Sequence, residues 1–432
     1  MARATPSGLL LGAIADDMTG ATDLANTLVR HGMRTVQLIG VPEAGMEAPD
    51  ADAIVIALKS RTAPVADAVA WSRASLAWLL KAGVKQTFFK YCSTFDSTDE
   101  GNIGPVADAL LSDLESDFTI ACPAFPDNGR SIYLGHLFAR DRLLSDSSMR
   151  SHPLTPMTDP DLVRVLGRQT KGKVGLIPFA IVDAGPKAIV EAMGRLAAGG
   201  HRYAIADALT NRHLLDLGEA VADLPLVTGG SGLAQGLPAN FAKRNRFVPS
   251  TSATRLPAVD GAAAVISGSC SAATLRQIAH MQASCPSFAV DPLELAAGRD
   301  VAGEALAWAK PKLGPVPLLI TASASPEAVA RAQKALGRET SGTLVETALG
   351  AIAAGLAAAG VRRLVVAGGE TSGEVVHSLG VRALRIGPQI DPGVPWTLSL
   401  GEPRLALALK SGNFGTDDFF TKAFGVLEGA GA

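Results

Sequence analysis

The chain reads as an α/β protein of two domains, each with a mainly parallel sheet flanked by helices. Three observations predict this. Short apolar runs alternate with stretches of helical spacing along most of the chain, which is the pattern of βαβ units. The alternation breaks at a polar, proline-containing stretch and then restarts. The length, 432 residues, suits two or three domains with large cores rather than one. A first domain is therefore expected over 1–245, a linker over 246–261 and a second domain over 262–432.

The first domain opens on Leu9 to Ala15, an apolar run that reads as a buried parallel strand. Asp16 and Asp17 follow, then Thr19, Gly20 and Thr22, and Leu24 to Val29 has helical spacing. Further buried strands are predicted at Val36 to Val41, Ala53 to Leu58, Gln86 to Phe89, Phe118 to Ala121 and Arg202 to Ala206. Helices are predicted at Asn26 to His31, Ala66 to Lys81 and Pro105 to Leu114. The stretch from Leu143 to Pro160 is rich in Ser, Pro and Asp and reads as a long surface excursion. Arg244-Asn245-Arg246, Pro249-Ser250-Thr251-Ser252 and Pro257 mark the boundary. Beyond it, strands are predicted at Ala262 to Ile266, Leu318 to Thr321, Arg363 to Ala367 and Leu407 to Leu409. Ser271 to Met281 and Gly342 to Ala359 read as helices, and the Ala/Gly run at 351–360 as a packed helix. No convincing internal repeat is visible.

Composition narrows the function. Hydrophobic content of 47% and charged content of 19% belong to a globular chain. A net charge of −2 argues against a general nucleic-acid binder but allows one local basic pocket. Four cysteines, at 92, 122, 270 and 285, lack metal-ligand spacing and read as reduced thiols of a cytoplasmic protein. Leu9 to Ala15 runs straight into two carboxylates with no cleavage site, so a strand is preferred to a signal-peptide core. No apolar run approaches the roughly 20 residues of a membrane helix, so no membrane partner is expected.

Chemistry concentrates after the strands. Strand, acidic turn and helix N-terminus is where open α/β sheets place ligands. Asp16 and Asp17 would repel a bare phosphate, but they can accept hydrogen bonds from hydroxyls, take a proton or hold Mg²⁺. The alternative for either is a helix N-cap. Lys59, Arg61 and Lys90 each follow an apolar strand and are candidates to orient a substrate carboxylate. Asp96 and Ser97 suit hydroxyl recognition, or a turn. In the second domain three Gly/Ser-rich loops follow strands: Ser267-Gly268-Ser269-Cys270-Ser271, Gly368-Gly369-Glu370-Thr371-Ser372-Gly373 and Lys410-Ser411-Gly412-Asn413-Phe414-Gly415. Successive N–H groups and hydroxyls in such loops make anion-binding concavities. Any one loop reads as an ordinary turn, whereas three at the carboxyl ends of strands suit a nucleotide's phosphates and ribose. No Gly-x-x-x-x-Gly-Lys-Ser/Thr sequence occurs, and the protein-kinase motifs are absent. Gly229-Gly230-Ser231-Gly232 has the wrong spacing for a dinucleotide fingerprint and reads as a tight strand-to-helix turn. Thr371 and Glu370 are candidates for a place beside Mg²⁺, with a ribose hydroxyl as the alternative partner of Glu370.

These segments resemble the four-carbon acid sugar kinase family along nearly the whole chain. Asp16-Asp17-Met18-Thr19-Gly20-Ala21, Leu58 to Thr62, Phe89 to Thr98, Gly101 to Gly104, Cys122 to Arg130 and Gly135 to Phe138 carry the likeness. Thr228 to Ala234 and the three glycine loops extend it. Family members acting on threonate compress the lysine motif. Here Lys90 stands six residues before Asp96, and Gly101 replaces an Arg-Gly pair, which resembles the branch acting on a 3-oxo acid. The resemblance implies phosphorylation of 3-oxo-tetronate on its C4 hydroxyl by ATP with Mg²⁺. D-Threonate, L-threonate and D-erythronate are alternative substrates, and the rivals outside kinases are a non-catalytic sensor of nucleotide and sugar acid and a dehydrogenase, which would want a true dinucleotide fingerprint. By resemblance, Asp17 or Asp16 would serve the hydroxyl. Lys59, Arg61, Lys90, Asp96, Ser97, Arg130 and His136 would bind the acid. Ser267, Gly268, Ser269, Gly368, Gly369, Glu370, Thr371 and Gly412 would bind ATP. The expected partners are small molecules, with a homo-oligomer left open.

Overall fold

The computed structural model describes residues 8–96, 98–151, 155–244, 246–324 and 326–430. The chain divides into two compact units, 1–253 and 254–432.

Strands of the first unit are β1 Leu11–Ala15, β2 Thr35–Ile39, β3 Ala53–Ala57, β4 Gln86–Lys90, β5 Thr119–Cys122, β6 Arg130–Tyr133, β7 His136–Ala139, β8 Arg142–Leu143, β9 Lys173–Ile177, β10 His201–Ala206 and β11 Leu226–Gly229. Its helices are α1 Met18–Arg30, α2 Val65–Lys81, α3 Ile103–Asp113, α4 Leu162–Gln169, α5 Phe179–Asp183, α6 Pro186–Ala198, α7 Asn211–Ala220 and α8 Leu237–Lys243. Eight strands form parallel pairs in the order β2-β3-β1-β4-β11-β5-β10-β9. The strands are buried along their length at the centre, as a sheet covered on both faces requires. From β1 the chain crosses outward to β2 and returns through β3. It then passes to the other flank of β1 as β4. The winding therefore reverses between β1 and β4, and a crevice opens at their carboxyl ends. The excursion after β5 builds a small antiparallel sheet, β6-β7-β8, which alternation of long apolar runs does not announce.

Helix α1 begins at Met18, well before the expected Asn26. Asp17 is its N-cap and accepts the Gly20 N–H, so the helix starts as soon as the strand ends.

The second unit contains β12 Ala262–Ser267, β13 Ser287–Ala289, β14 Leu318–Thr321, β15 Val361–Ala367, β16 Ala383–Asp391, β17 Val394–Ser399 and β18 Ala406–Lys410. Its helices are α9 Ala272–Gln282, α10 Pro292–Ala296, α11 Val301–Ala309, α12 Pro326–Leu336, α13 Arg338–Ala358, α14 Gly369–Ser378 and α15 Phe419–Ala430. The order is β13-β14-β12-β15-β18-β17-β16, parallel as far as β18 and antiparallel from there. The two antiparallel strands and short β13 were not expected from the sequence. Winding reverses here between β12 and β15, as it does between β1 and β4. The two units thus share a starting topology without a recognisable sequence repeat. The fully buried Trp396 and Phe419, with Phe420 beside them, anchor the core behind this sheet.

The segment 246–261, expected as a linker, is packed at both of its ends. Phe247 is buried and Ser250 donates its N–H to the Gly32 carbonyl at 2.9 Å, which ties this end to the first unit. Leu256 is buried with Val394 and Trp396 in the second. Helix α13 is also long and apolar enough by composition to cross a bilayer. Its Leu349, Ile352, Ala353 and Leu356 are fully buried within the unit, as in the core helix of a folded domain.

Candidate functional sites

At the β1/β4 crevice the sequence neighbours Asp16 and Asp17 meet a cation from the next loop. Arg61 Nε and Nη2 donate to both oxygens of Asp16 at 2.9 and 2.7 Å, and Nη2 donates to Asp17 at 2.6 Å. The Asp16 carbonyl accepts the N–H groups of Ser60 and Arg61 at 3.0 and 3.1 Å, so backbone and side chain fix the same pairing. Asn102 secures the Arg61 loop from the other side, donating to the carbonyls of Ser60, Arg61 and Ala63 at 2.7, 3.2 and 2.9 Å. Asp17 also accepts the Thr19 hydroxyl at 2.9 Å. Lys90 ends β4 and is buried, and its carbonyl accepts the Asp16 N–H at 3.1 Å. A Cβ at Gly20 would displace the Asp17 carboxylate and the Lys90 ammonium from their places.

The two carboxyls titrate apart. Burial pushes both up. At Asp17, Arg61, Lys90 and the hydrogen bonds from Thr19 and Gly20 outweigh it and hold the group at about 2. At Asp16 burial prevails over Arg61, and the group lies above its ordinary value. Asp17 is therefore a permanent charge, and Asp16 is the more basic of the pair.

Asp96 is buried and accepts the Thr94 hydroxyl. It shares with Asp16, Arg61 and Asn102 a recess of about 10 Å³, room for about one water. Asp16, Asp17, Arg61, Lys90 and Asp96 thus come together. Arg61 is committed to the Asp pair, which differs from the expected grip on a substrate carboxylate. Lys59 is exposed between buried Leu58 and Ser60. Ser97 lies outside the described residues.

Arg130 and His136 sit elsewhere. Arg130 begins β6, bridges to Phe125 after β5, and donates to the Asn128 carbonyl. His136 begins β7, with Nδ1 at 2.8 Å from the Leu134 carbonyl. Both belong to the hairpin fixed at the ends of β5 and β10, three and four strands from β1, or roughly 14 and 19 Å along the sheet. Asp207 holds that hairpin. It is fully buried and accepts the N–H groups of Leu134, Gly135 and Phe179 at 2.7, 2.9 and 2.8 Å. A larger recess of about 340 Å³ between Thr98 and Val165 is lined by Asp99, Glu100 and Asp159. Three carboxylates suit an acidic substrate poorly, although Arg168 and Arg164 pair with two of them.

In the second unit the three glycine loops adjoin at the carboxyl ends of β12, β15 and β18. They divide by which amides remain open. Gly268 and Ser269 both donate to the Ala367 carbonyl, at 3.0 and 3.2 Å, and Gly368 donates to that of Lys410 at 2.9 Å. Ser267 is buried with its hydroxyl 2.8 Å from that of Ser323. These groups build the loops, whereas the open N-terminus of α14 begins at Gly369. A Cβ on Gly368 or Gly268 would crowd the Thr371 side chain, and Gly368 has φ 127°. Around Gly369 a Cβ would meet nothing within 4 Å. Glu370 is exposed in the first turn, and Thr371 is buried. Beside Gly268 lies a cleft of about 450 Å³ lined by Ala289, Val290, Leu293, Ala322 and Val345, of a size and polarity that suit a nucleoside.

Several groups escaped the sequence reading. Asn102 and Asp207 act through backbone atoms distant in sequence, which no local pattern reports. Asp23, one turn into α1, is buried and faces Lys90. Lys410 was visible as the first residue of the third loop, yet its burial was not.

The comparisons with known proteins agree with this division. Residues 11–237 match the model of a sugar-binding N-terminal domain, and residues 264–420 that of a nucleotide-binding C-terminal domain. A Burkholderia multivorans protein named 3-oxo-tetronate kinase is 59% identical over 427 residues, covering 99% of each chain. One of the same name from Pseudomonas savastanoi pv. phaseolicola is 58% identical over 98% of each. A solved structure from Salmonella typhimurium LT2 superposes with TM-score 0.87 at 45% identity, over 96% of this chain and 98% of its own. A Haemophilus influenzae structure gives TM-score 0.81 at 43% identity, over 96% and 100%. With both halves matched in order and relatives aligned from end to end, this chain belongs to the four-carbon acid sugar kinase family.

Proposed function

We propose that this kinase transfers the γ-phosphoryl group of ATP to the C4 hydroxyl of 3-oxo-tetronate, giving 3-oxo-tetronate 4-phosphate and ADP. The observation that carries the proposal is the 58–59% identity, over 97–99% of the chain, to four proteins named 3-oxo-tetronate kinase. The acid sugar belongs at the β1/β4 crevice, because the winding reverses there and Lys90 supplies a buried cation. Asp17, ionised at any physiological pH, suits orienting the C4 hydroxyl. Asp16 suits accepting its proton once Arg61 shifts, because burial raises its basicity. The open amides of the second unit and the neighbouring cleft suit the triphosphate and nucleoside. Phosphoryl transfer demands alignment and charge neutralisation more than covalent chemistry.

Among the described residues no group of three or more His, Cys, Asp or Glu side chains is arranged to hold a metal. A resident cation site does not fit. A Mg²⁺ carried by the ATP phosphates fits better, because it needs only one or two protein oxygens, and exposed Glu370 is suitably placed at the start of α14. Such an ion would neutralise phosphate charge. We place the reaction in the cytoplasm, where the four unpaired cysteines stay reduced.

An ADP-release screen over four-carbon sugar acids tests the substrate. The kcat/KM for 3-oxo-tetronate is expected to exceed that for D-threonate by about 100-fold, because a site built for one hydrogen-bonding pattern leaves polar groups unpaired with another. Equal turnover of the two acids would remove the 3-oxo assignment and leave the kinase family intact.

A further inference from the structure

Lys410 ends β18 and is completely buried. No carboxylate among the described residues pairs with it, and burial lowers its pKa to about 7. Its Nζ instead donates to three neutral oxygens: the Thr274 hydroxyl at 3.2 Å and the carbonyls of Ser411 and Gly412 at 3.0 and 2.9 Å. The Gly412 carbonyl is further held by the hydroxyls of Ser271 and Thr274, at 2.6 and 2.8 Å. Across a trans peptide the C=O and N–H point in opposite directions. The only cis peptide among the described residues is Glu402-Pro403, so both peptides here are trans. Carbonyls turned inward therefore turn the N–H groups of Gly412 and Asn413 outward. Neither N–H has an acceptor among the described residues, and Asn413 is exposed.

We propose that Lys410 is a positioning residue for phosphate: by drawing the Ser411 and Gly412 carbonyls inward it presents the Gly412 and Asn413 amides as a two-donor seat for a phosphate of ATP. The inference rests on the nucleotide-binding reading of this unit and goes beyond it in assigning a residue that does not touch the ligand. Two successive outward amides form an anion-binding concavity. A Cβ on Gly412 would stand 2.5 Å from the Ser269 hydroxyl and displace it. An anion on the outer face supplies the negative charge that the buried ammonium lacks.

The test compares Lys410→Met and Thr274→Val with the unaltered full-length protein by calorimetry, using ATP, inorganic tripolyphosphate and adenosine. Lys410→Met keeps the apolar stem up to the position of Cε without the charged nitrogen, and Thr274→Val removes one clamp on the Gly412 carbonyl. Lys410→Met is expected to weaken ATP and tripolyphosphate about tenfold or more and to leave adenosine within about twofold. Thr274→Val is expected to do the same to a smaller degree. Equal losses for ATP and adenosine would reduce Lys410 to a structural role, and ATP binding unchanged in both variants would overturn the proposal. Should Lys410→Met fail to fold, Thr274→Val decides by the same ratio. If the unaltered protein binds neither ATP nor adenosine, the nucleotide reading itself fails and the proposal with it.

Discussion

Replacing Asp17 by Asn separates the charge of this residue from its role as a helix cap. Asn is about as good an N-cap as Asp, so the hydrogen bond to the Gly20 N–H is retained. What is lost is the charge facing Arg61 at 2.6 Å and Lys90 nearby. A carboxyl held at about 2 instead of 3.8 contributes roughly 2 kcal/mol at neutral pH. The side chain is only one quarter exposed, so solvent screens little of this. The sign is fixed by linkage. The folded-state pKa is depressed, so the contribution is complete above the unfolded value near 4 and disappears as pH falls toward 2. Denaturant titrations of the two proteins between pH 2 and pH 7 should therefore differ by about 2 kcal/mol at neutral pH and converge at the acid end. At neutral pH the variant should bind ATP normally while kcat falls roughly 100-fold, the scale of losing a charged group that orients a reacting hydroxyl. A stability gap independent of pH would show that the charge contributes nothing and that the assigned ionisation is wrong. Unchanged kcat would assign Asp17 to capping alone.

Other perturbations follow from the same geometry. Gly369→Val meets nothing within 4 Å, so its stability should stay within about 0.5 kcal/mol while KM for ATP rises. Gly412→Val meets the Ser269 hydroxyl and should damage stability and KM together, as thermal melts beside steady-state kinetics would record. Asn102→Leu releases three carbonyls of the Arg61 loop and should cost about 1–3 kcal/mol, with acid-sugar KM raised more than ATP KM. Asp207→Asn turns an amide N–H₂ toward backbone donors and should destabilise the first unit by about 2–4 kcal/mol by chemical denaturation.

The fold class was legible because buried parallel strands are continuous apolar runs, and their period and punctuation survive in one dimension. Ala53–Ala57 and Gln86–Lys90 were found within a residue or so on that basis. The Asp pair and the three glycine loops were legible for a related reason, since ligands gather where strands end and the residues there are neighbours in sequence. Strands β16 and β17 were not, because antiparallel pairing is decided by what lies opposite. Nor could the sequence sort its cations. Lys59, Arg61 and Lys90 look alike in a string, yet folding exposes the first, commits the second to two carboxylates and buries the third. It could not say which loop amides stay open either. Ala367 takes those of Gly268 and Ser269, while Lys410 turns Gly412 and Asn413 outward. Local pattern reports which groups a segment carries. Which of them are spent elsewhere depends on contacts such as Arg61 with Asp16 and Gly268 with Ala367, between segments tens of residues apart, and those contacts come into being only when the sheet is assembled.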